Sequence, residues 1–223
     1  MEKLVIFDID RTIYDGSIFL DFSLHLIQKN LISPKFLSSI GFEYVTYQTG
    51  FESYDELVRD CLNYFFDEIK KIPLVTLKKE IKDCLFINHH KFYDYVFETT
   101  KKYPSYEYLI ITLEPEIIAG EVANFLKIKN YLSNRFCNND EFLNKPELIF
   151  NKRELLNKSV FKNQIPFATF GDSESDLELL KISKNKFILN PTSNLQRELK
   201  KDNLNFKTFT PLNIDQEITL TFN

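Results

Sequence analysis

Leu4, Val5, Ile6 and Phe7 form an unbroken apolar run without alternation, the pattern of a strand covered on both faces of a parallel sheet. Two carboxylates two positions apart, Asp8 and Asp10, follow where that run stops. A helical texture then occupies residues 17–86. Ile18, Phe19, Phe22 and Leu26 recur at helical spacing, and Leu57, Cys61, Tyr64, Phe65 and Ile69 repeat the pattern. Ser53 and Glu56 stand as a capping box at the start of that second run.

Past residue 87 strands and helices alternate, the signature of βαβ units. The sequence HKFYDYVFETTKKY predicts a helix, YEYLIIT (106–112) a buried strand, and Pro115 the first turn of a further helix. Weaker strands are predicted over 134–138 and 148–150. KRELLNKSVF predicts a helix, PFATFGD (166–172) a buried strand, SESDLELLKI a helix, NKFILN a strand and NLQRELKK a last helix. An α/β core of residues 1–16 and 87–223 is therefore expected, interrupted once by a helical insertion over 17–86. The final TPLNIDQEITLTFN suits either an added edge strand or a partner-binding tail.

Composition narrows the setting. The 223 residues are 43% hydrophobic and 27% charged, with 22 Phe and 11 Tyr to fill a core, so an ordinary globular protein is expected. A net charge of −4 gives no basic field to attract nucleic acid or an anionic membrane, and no apolar stretch approaches the roughly 18 residues of a membrane span. Cys61, Cys84 and Cys137 are widely spaced and odd in number, which points to a reducing, cytoplasmic setting rather than a disulfide framework. His25, His89 and His90 lack zinc-ligand spacing.

The candidate chemistry lies where core strands end. Asp8-Ile9-Asp10-Arg11-Thr12 follows the first strand, Thr112 closes the second, Lys152 opens a helix, and Gly171-Asp172-Ser173-Glu174-Ser175-Asp176 closes a later strand. Carboxylates, a hydroxyl and a fixed positive charge at such edges suit phosphate and metal chemistry. In this order DIDRT, LIIT, NKREL and GDSESD resemble the four motifs of the haloacid dehalogenase (HAD) superfamily, over about residues 3–200.

The resemblance implies a Rossmann-like doubly wound parallel sheet with a helical C1 cap inserted after the first strand. It further implies a Mg2+-dependent phosphatase that hydrolyses a small phosphate monoester through an aspartyl phosphate. Asp8 would be the nucleophile and Asp10 the general acid and base. Thr112 and Lys152 would bind the phosphoryl oxygens, with Lys145 and Lys158 as rivals to Lys152. Asp8, the backbone carbonyl of Asp10 and Asp172 would hold Mg2+, with Asp176 steadying that shell.

The TLEPEII and FILNPTSNL segments look most like the phosphoserine phosphatase branch, yet Ser17 stands where that branch carries a Glu, and Leu113-Glu114 where it carries Gly-Gly. Both departures imply a substrate other than phosphoserine. Tyr14, Asp15, Phe19 and Arg59 are candidates for choosing the leaving group among small phosphorylated metabolites. A phosphotransferase or phosphomutase on the same scaffold, and a non-catalytic binding protein, are the competing readings; oligomeric state is not legible.

Overall fold

The computed structural model describes residues 3–138, 143–202, 206–211 and 213–222. Its centre is β1 (Leu4–Phe7), flanked by β2 (Glu107–Pro115) and β5 (Ala168–Gly171). The sheet continues through β3 (Asn130–Asn138) and β4 (Leu143–Glu147) on one side and β6 (Asn185–Leu189) and β7 (Thr208–Phe209) on the other, in the order β4-β3-β2-β1-β5-β6-β7. All neighbours run parallel except β4, which pairs antiparallel with β3.

The parallel strands take the doubly wound order, in which the connections change direction between β1 and β5. That switch point opens a crevice at the carboxyl ends of the two strands. Phe7 pairs with Phe170 across it, so the residues just after them, Asp8 and Gly171, meet at the crevice floor.

The unbroken apolar run of β1 is explained by burial on both faces. Val5 and Phe7 face a layer containing Phe170, Phe187, Tyr95 and Phe222, whereas Leu4 and Ile6 face Leu155, Leu156 and Leu179. The rings of Phe7 and Phe170 lie 4.7 Å apart, and those of Phe170 and Phe187 stack at 4.4 Å. Each fully buried Phe side chain contributes roughly 1.5–3 kcal/mol in apolar transfer alone. Helices α5 (Asp94–Lys102), α6 (Glu116–Leu126) and α10 (Ile214–Phe222) cover the first face. Helices α7 (Lys152–Asn157) and α8 (Leu177–Ile182) cover the second, and α9 (Ser193–Lys201) follows β6.

Between β1 and α5 the chain forms four helices: α1 (Ile18–Gln28), α2 (Lys35–Gln48), α3 (Tyr54–Ile69) and α4 (Leu74–Ile87). Phe19 and Phe22 of α1, Phe36 of α2 and Phe65 of α3 form an aromatic centre between the first three. The Ser53–Glu56 capping box at α3 is present in both directions. Helix α4 packs on both α1 and α6, so the helical layer is anchored to the sheet and not suspended from its two connections.

Several expectations need correction. The segment 148–150 is not a strand; the strand is Leu143–Glu147, just before it. Pro115 precedes α6 instead of occupying its first turn. The helix expected over KRELLNKSVF ends at Asn157. Tyr64 lies at the surface, its hydroxyl donating to Glu43 at 2.9 Å. The C-terminal segment is a helix whose Ile218 and Phe222 enter the core, because its apolar positions recur every four residues. Among the described side chains Cys61 and Cys84 are free thiols; the side chain of Cys137 lies outside them.

Candidate active site

The loop after β1 explains the spacing of the first two carboxylates. The amides of Thr12, Ile13 and Tyr14 all converge on the carbonyl of Ile9, at 2.9–3.2 Å. The chain curls tightly enough to place Arg11 in the left-handed region at φ 56°, unusual for a residue with a Cβ. Asp8 and Asp10 thereby face one cavity. Asp10 Oδ1 accepts from the Ile18 amide at 2.9 Å, so the first residue of α1 holds this carboxyl on the helical side of the crevice.

Thr112 and Glu114 reach the cavity by a different device. The pairing of β2 with β3 slips between Ile111 and Pro115, a bulge that re-aims side chains near a strand end. Thr112, Leu113 and Glu114 all line the cavity as a result, and the Glu114 amide donates to Thr112 Oγ1 at 3.2 Å.

After β5 the chain doubles back. Asp176 Oδ2 accepts from the amides of Asp172 and Ser173, each at 3.1 Å. This fold-back requires Gly171: a Cβ there would stand 2.4 Å from Asp176 Cγ. Lys152 opens α7, capped by Asn151. Its Nζ, only 2% exposed as a residue, donates to Asp8 Oδ1 at 2.5 Å and to Asp176 Oδ1 at 2.7 Å.

These groups surround a cavity of about 650 Å³. Five carboxyls, Asp8, Asp10, Glu114, Asp172 and Asp176, gather around Lys152 and Arg11, whose Nε lies 3.2 Å from Asp172 Oδ2. Burial pushes Asp8 up to about 7 against the opposing pull of Lys152. Burial and the negative charges of Asp8 and Asp176 push Asp172 up to about 9. Lys152 loses solvation, but Asp176 and Asp8 outweigh that loss and hold it charged. Burial likewise raises Asp10, and Glu114 lies well above the ordinary carboxylate range for the same reason, reinforced by Asp10 and Asp8.

The carboxyl oxygens of Asp8, Asp172 and Asp176 lie within 4.8 Å of one another. An all-oxygen donor set with unbalanced negative charge fits a hard divalent cation such as Mg2+. The Asp10 side chain is not in that group.

The specificity candidates separate. Phe19 lines an apolar chamber beside the main cavity. Tyr14 does not reach either space: its ring packs edge-on against Phe92, and its hydroxyl donates to Asp21 at 2.5 Å. Asp15 accepts from the Tyr93 hydroxyl, and Arg59 points outward to Asp60. Lys158 pairs with Glu154 on the surface, and Lys145 falls in β4. Ser17 does line the cavity.

Sequence reasoning missed the part played by Tyr47, Glu174 and Asn194. The Tyr47 hydroxyl on α2 donates to Glu174 just beyond β5, and Asn194 Nδ2 donates to the Tyr47 oxygen at 2.7 Å. Tyr47 is one of two tyrosines in α2, and the local pattern of that helix carries no signal of such a long-range bridge.

No protein-family model and no curated protein matches this chain. Solved structures do. A Bordetella pertussis Tohama I protein of unknown function aligns with TM-score 0.74 and 10% identity, over 95% of this chain and 99% of the other. A phosphoserine phosphatase in a phospho-aspartyl intermediate analogue form aligns with TM-score 0.59 and 16% identity, over 92% and 99%. A HAD family hydrolase from Salmonella enterica serovar Typhi aligns with TM-score 0.62 and 14% identity, over 87% and 65%. At such identities the likeness is one of architecture: this chain has the α/β fold of HAD family hydrolases, in the form also found in phosphoserine phosphatases.

Proposed function

We propose that this protein is a Mg2+-dependent phosphatase acting on a small phosphate monoester, in a cytoplasmic setting. The observation that carries the reading is Lys152, buried between Asp8 and Asp176 at the switch point, with Asp172 within ligand distance of both acids. Asp8, Asp172 and Asp176, with the backbone carbonyl of Asp10, would hold the ion. Bound there, Mg2+ would neutralise the charge that otherwise sets a phosphate dianion against a carboxylate nucleophile.

Asp8 attacks phosphorus in line and the ester oxygen departs, leaving an aspartyl phosphate that water then hydrolyses. Asp10, held toward the helices by the Ile18 amide, gives a proton to the departing oxygen and later takes one from the water. Thr112 and Lys152 hold the equatorial oxygens, where fixed donors stabilise the transition state. Residues 1–16 and 87–223 form the catalytic core, and residues 17–86 serve as a cap that shields the reaction from bulk water. The fold shared with phosphoserine phosphatases supports this assignment.

The test is phosphate release from a broad panel of monoesters, p-nitrophenyl phosphate included, by purified protein with Mg2+. The expected result is turnover that disappears when Mg2+ is chelated. Absence of turnover across the panel by folded protein would overturn the reading.

A further inference from the structure

Two spaces meet at the site. Beside the polar cavity lies a second chamber of about 420 Å³, open to solvent on one side, between α1, α2 and α3 and lined by Phe19, Leu37, Ile40, Cys61 and Leu62. Asp10, Leu113 and Glu114 border both spaces, so the chamber opens directly on the leaving-group side of the reacting centre. Apolar chambers of this kind bind apolar ligand bodies, oriented by a few well-placed polar groups.

One such polar group stands at the seam. Glu114 Oε2 is buried and, among the described residues, is the buried side-chain oxygen or nitrogen without a hydrogen-bond partner. Its own amide is occupied by Thr112, and its carboxyl neighbours that of Asp10. Oε2 itself makes no hydrogen bond among the described residues and so is open to a donor. A buried acceptor is rarely left unmatched without a functional reason.

We infer that the leaving group has a compact apolar body, seated in the chamber between α1, α2 and α3, and carries a hydroxyl or ammonium donor next to the ester carbon, which Glu114 Oε2 accepts. This rests on the phosphatase reading and narrows it to amphipathic alcohols. Sugar phosphates and phosphoserine are excluded as preferred substrates, because their polar groups would enter the chamber unsatisfied. Glu114 is thus a specificity-determining residue, and the chamber is the second half of the substrate site.

The experiment measures binding without turnover, by calorimetry of the Mg2+-loaded protein with matched non-hydrolysable phosphonates. One series has a phenyl or cyclohexyl body with an adjacent hydroxyl, a second an adjacent ammonium, a third no donor, and a fourth a sugar body. Either donor-bearing series is expected to bind roughly 10- to 100-fold more tightly than the donor-free one, the worth of satisfying one buried acceptor. Glu114→Leu is expected to collapse that ratio to about unity. Glu114→Gln keeps an acceptor oxygen at the same place, so it should preserve most of the ratio that Glu114→Leu abolishes.

Gly41 supplies a control on the chamber itself. It lines the apolar space, and no atom stands within 4 Å of where its Cβ would be. Gly41→Leu should weaken the apolar phosphonates at least about 10-fold while leaving binding of inorganic phosphate unchanged. Equal binding of all four series, or tightest binding of the sugar series, would overturn the inference. So would an unchanged donor ratio in folded Glu114→Leu. Selective binding without hydrolysis of the corresponding esters would instead overturn the phosphatase reading and leave the inference standing.

Discussion

Lys152 Nζ lies 2.5 Å from Asp8 Oδ1, bringing together residues 144 positions apart in the sequence. Asp8 ends the central strand and Lys152 begins a helix on the far side of two crossovers, so this pair reports the assembled core. Lys152→Met leaves the buried acids uncompensated. Removing one partner of a buried pair costs about 3 kcal/mol or more, which denaturant unfolding of the metal-free variant will show. Phosphate release should fall at least about 100-fold, the usual loss when a group holding transition-state charge is removed.

Gly171→Ala and Gly41→Ala are expected to act in opposite directions. The first drives a methyl to 2.4 Å from Asp176 Cγ, so Asp176 must leave the amides of Asp172 and Ser173 and lose its approach to Lys152. Thermal unfolding should shift downward and Mg2+ affinity, read by calorimetry, should weaken. Gly41 meets nothing within 4 Å and sits inside α2. Alanine there should stabilise by roughly 0.5–1 kcal/mol through helix propensity.

Without Mg2+, stability should fall as pH rises. Asp8 and Asp172 move from 3.8 to about 7 and about 9 in the folded protein, so between pH 4 and those values the folded state binds more protons than the unfolded state. The unfolding free energy then decreases with pH across that window. Melting temperatures in a chelator should decline from about pH 5 to about pH 9. Added Mg2+ should raise them by an increment that grows with pH, since it binds the ionised acids and competes with protons.

Tyr47 ties α2 to the loop beyond β5 through Glu174, with Asn194 and Thr192 completing the cluster. Burial opposes the Glu174 charge, but the donors from Tyr47, Asn194 and Thr192 prevail and lower its pKa. Tyr47→Phe removes one donor while keeping the ring. We expect a loss of about 1 kcal/mol in stability and a KM raised severalfold with kcat preserved, because the bridge closes the cavity without touching the reacting atoms. An unchanged KM would remove the bridge from substrate retention.

What could be read in advance follows the range of the interactions involved. β1 and β5 were legible because a strand buried on both faces leaves an unbroken apolar run, and Asp8 and Asp172 because they end such runs. The capping box at Ser53 is local and was equally plain. The two-residue β7 and the polar β4 have no such run, so their sheet positions depend on partners distant in sequence. Tyr14 could not be told from a cavity residue, since its burial comes from Phe92 and its hydroxyl partner is Asp21. Glu114 stood out only as a departure from the phosphoserine phosphatase pattern; it lies in the β2 register shift that borders the cavity, which no local periodicity announces.

The most direct measurement is phosphate release by the wild-type protein and by Asp8→Asn, each with Mg2+, on the best ester from the panel. Asn is isosteric with Asp and keeps an oxygen toward Lys152, so the variant should fold yet lack the nucleophile. The account predicts turnover in the wild type and its loss in Asp8→Asn, with the chain still folded by circular dichroism. Equal turnover by the two proteins would contradict it and remove Asp8 from the chemistry.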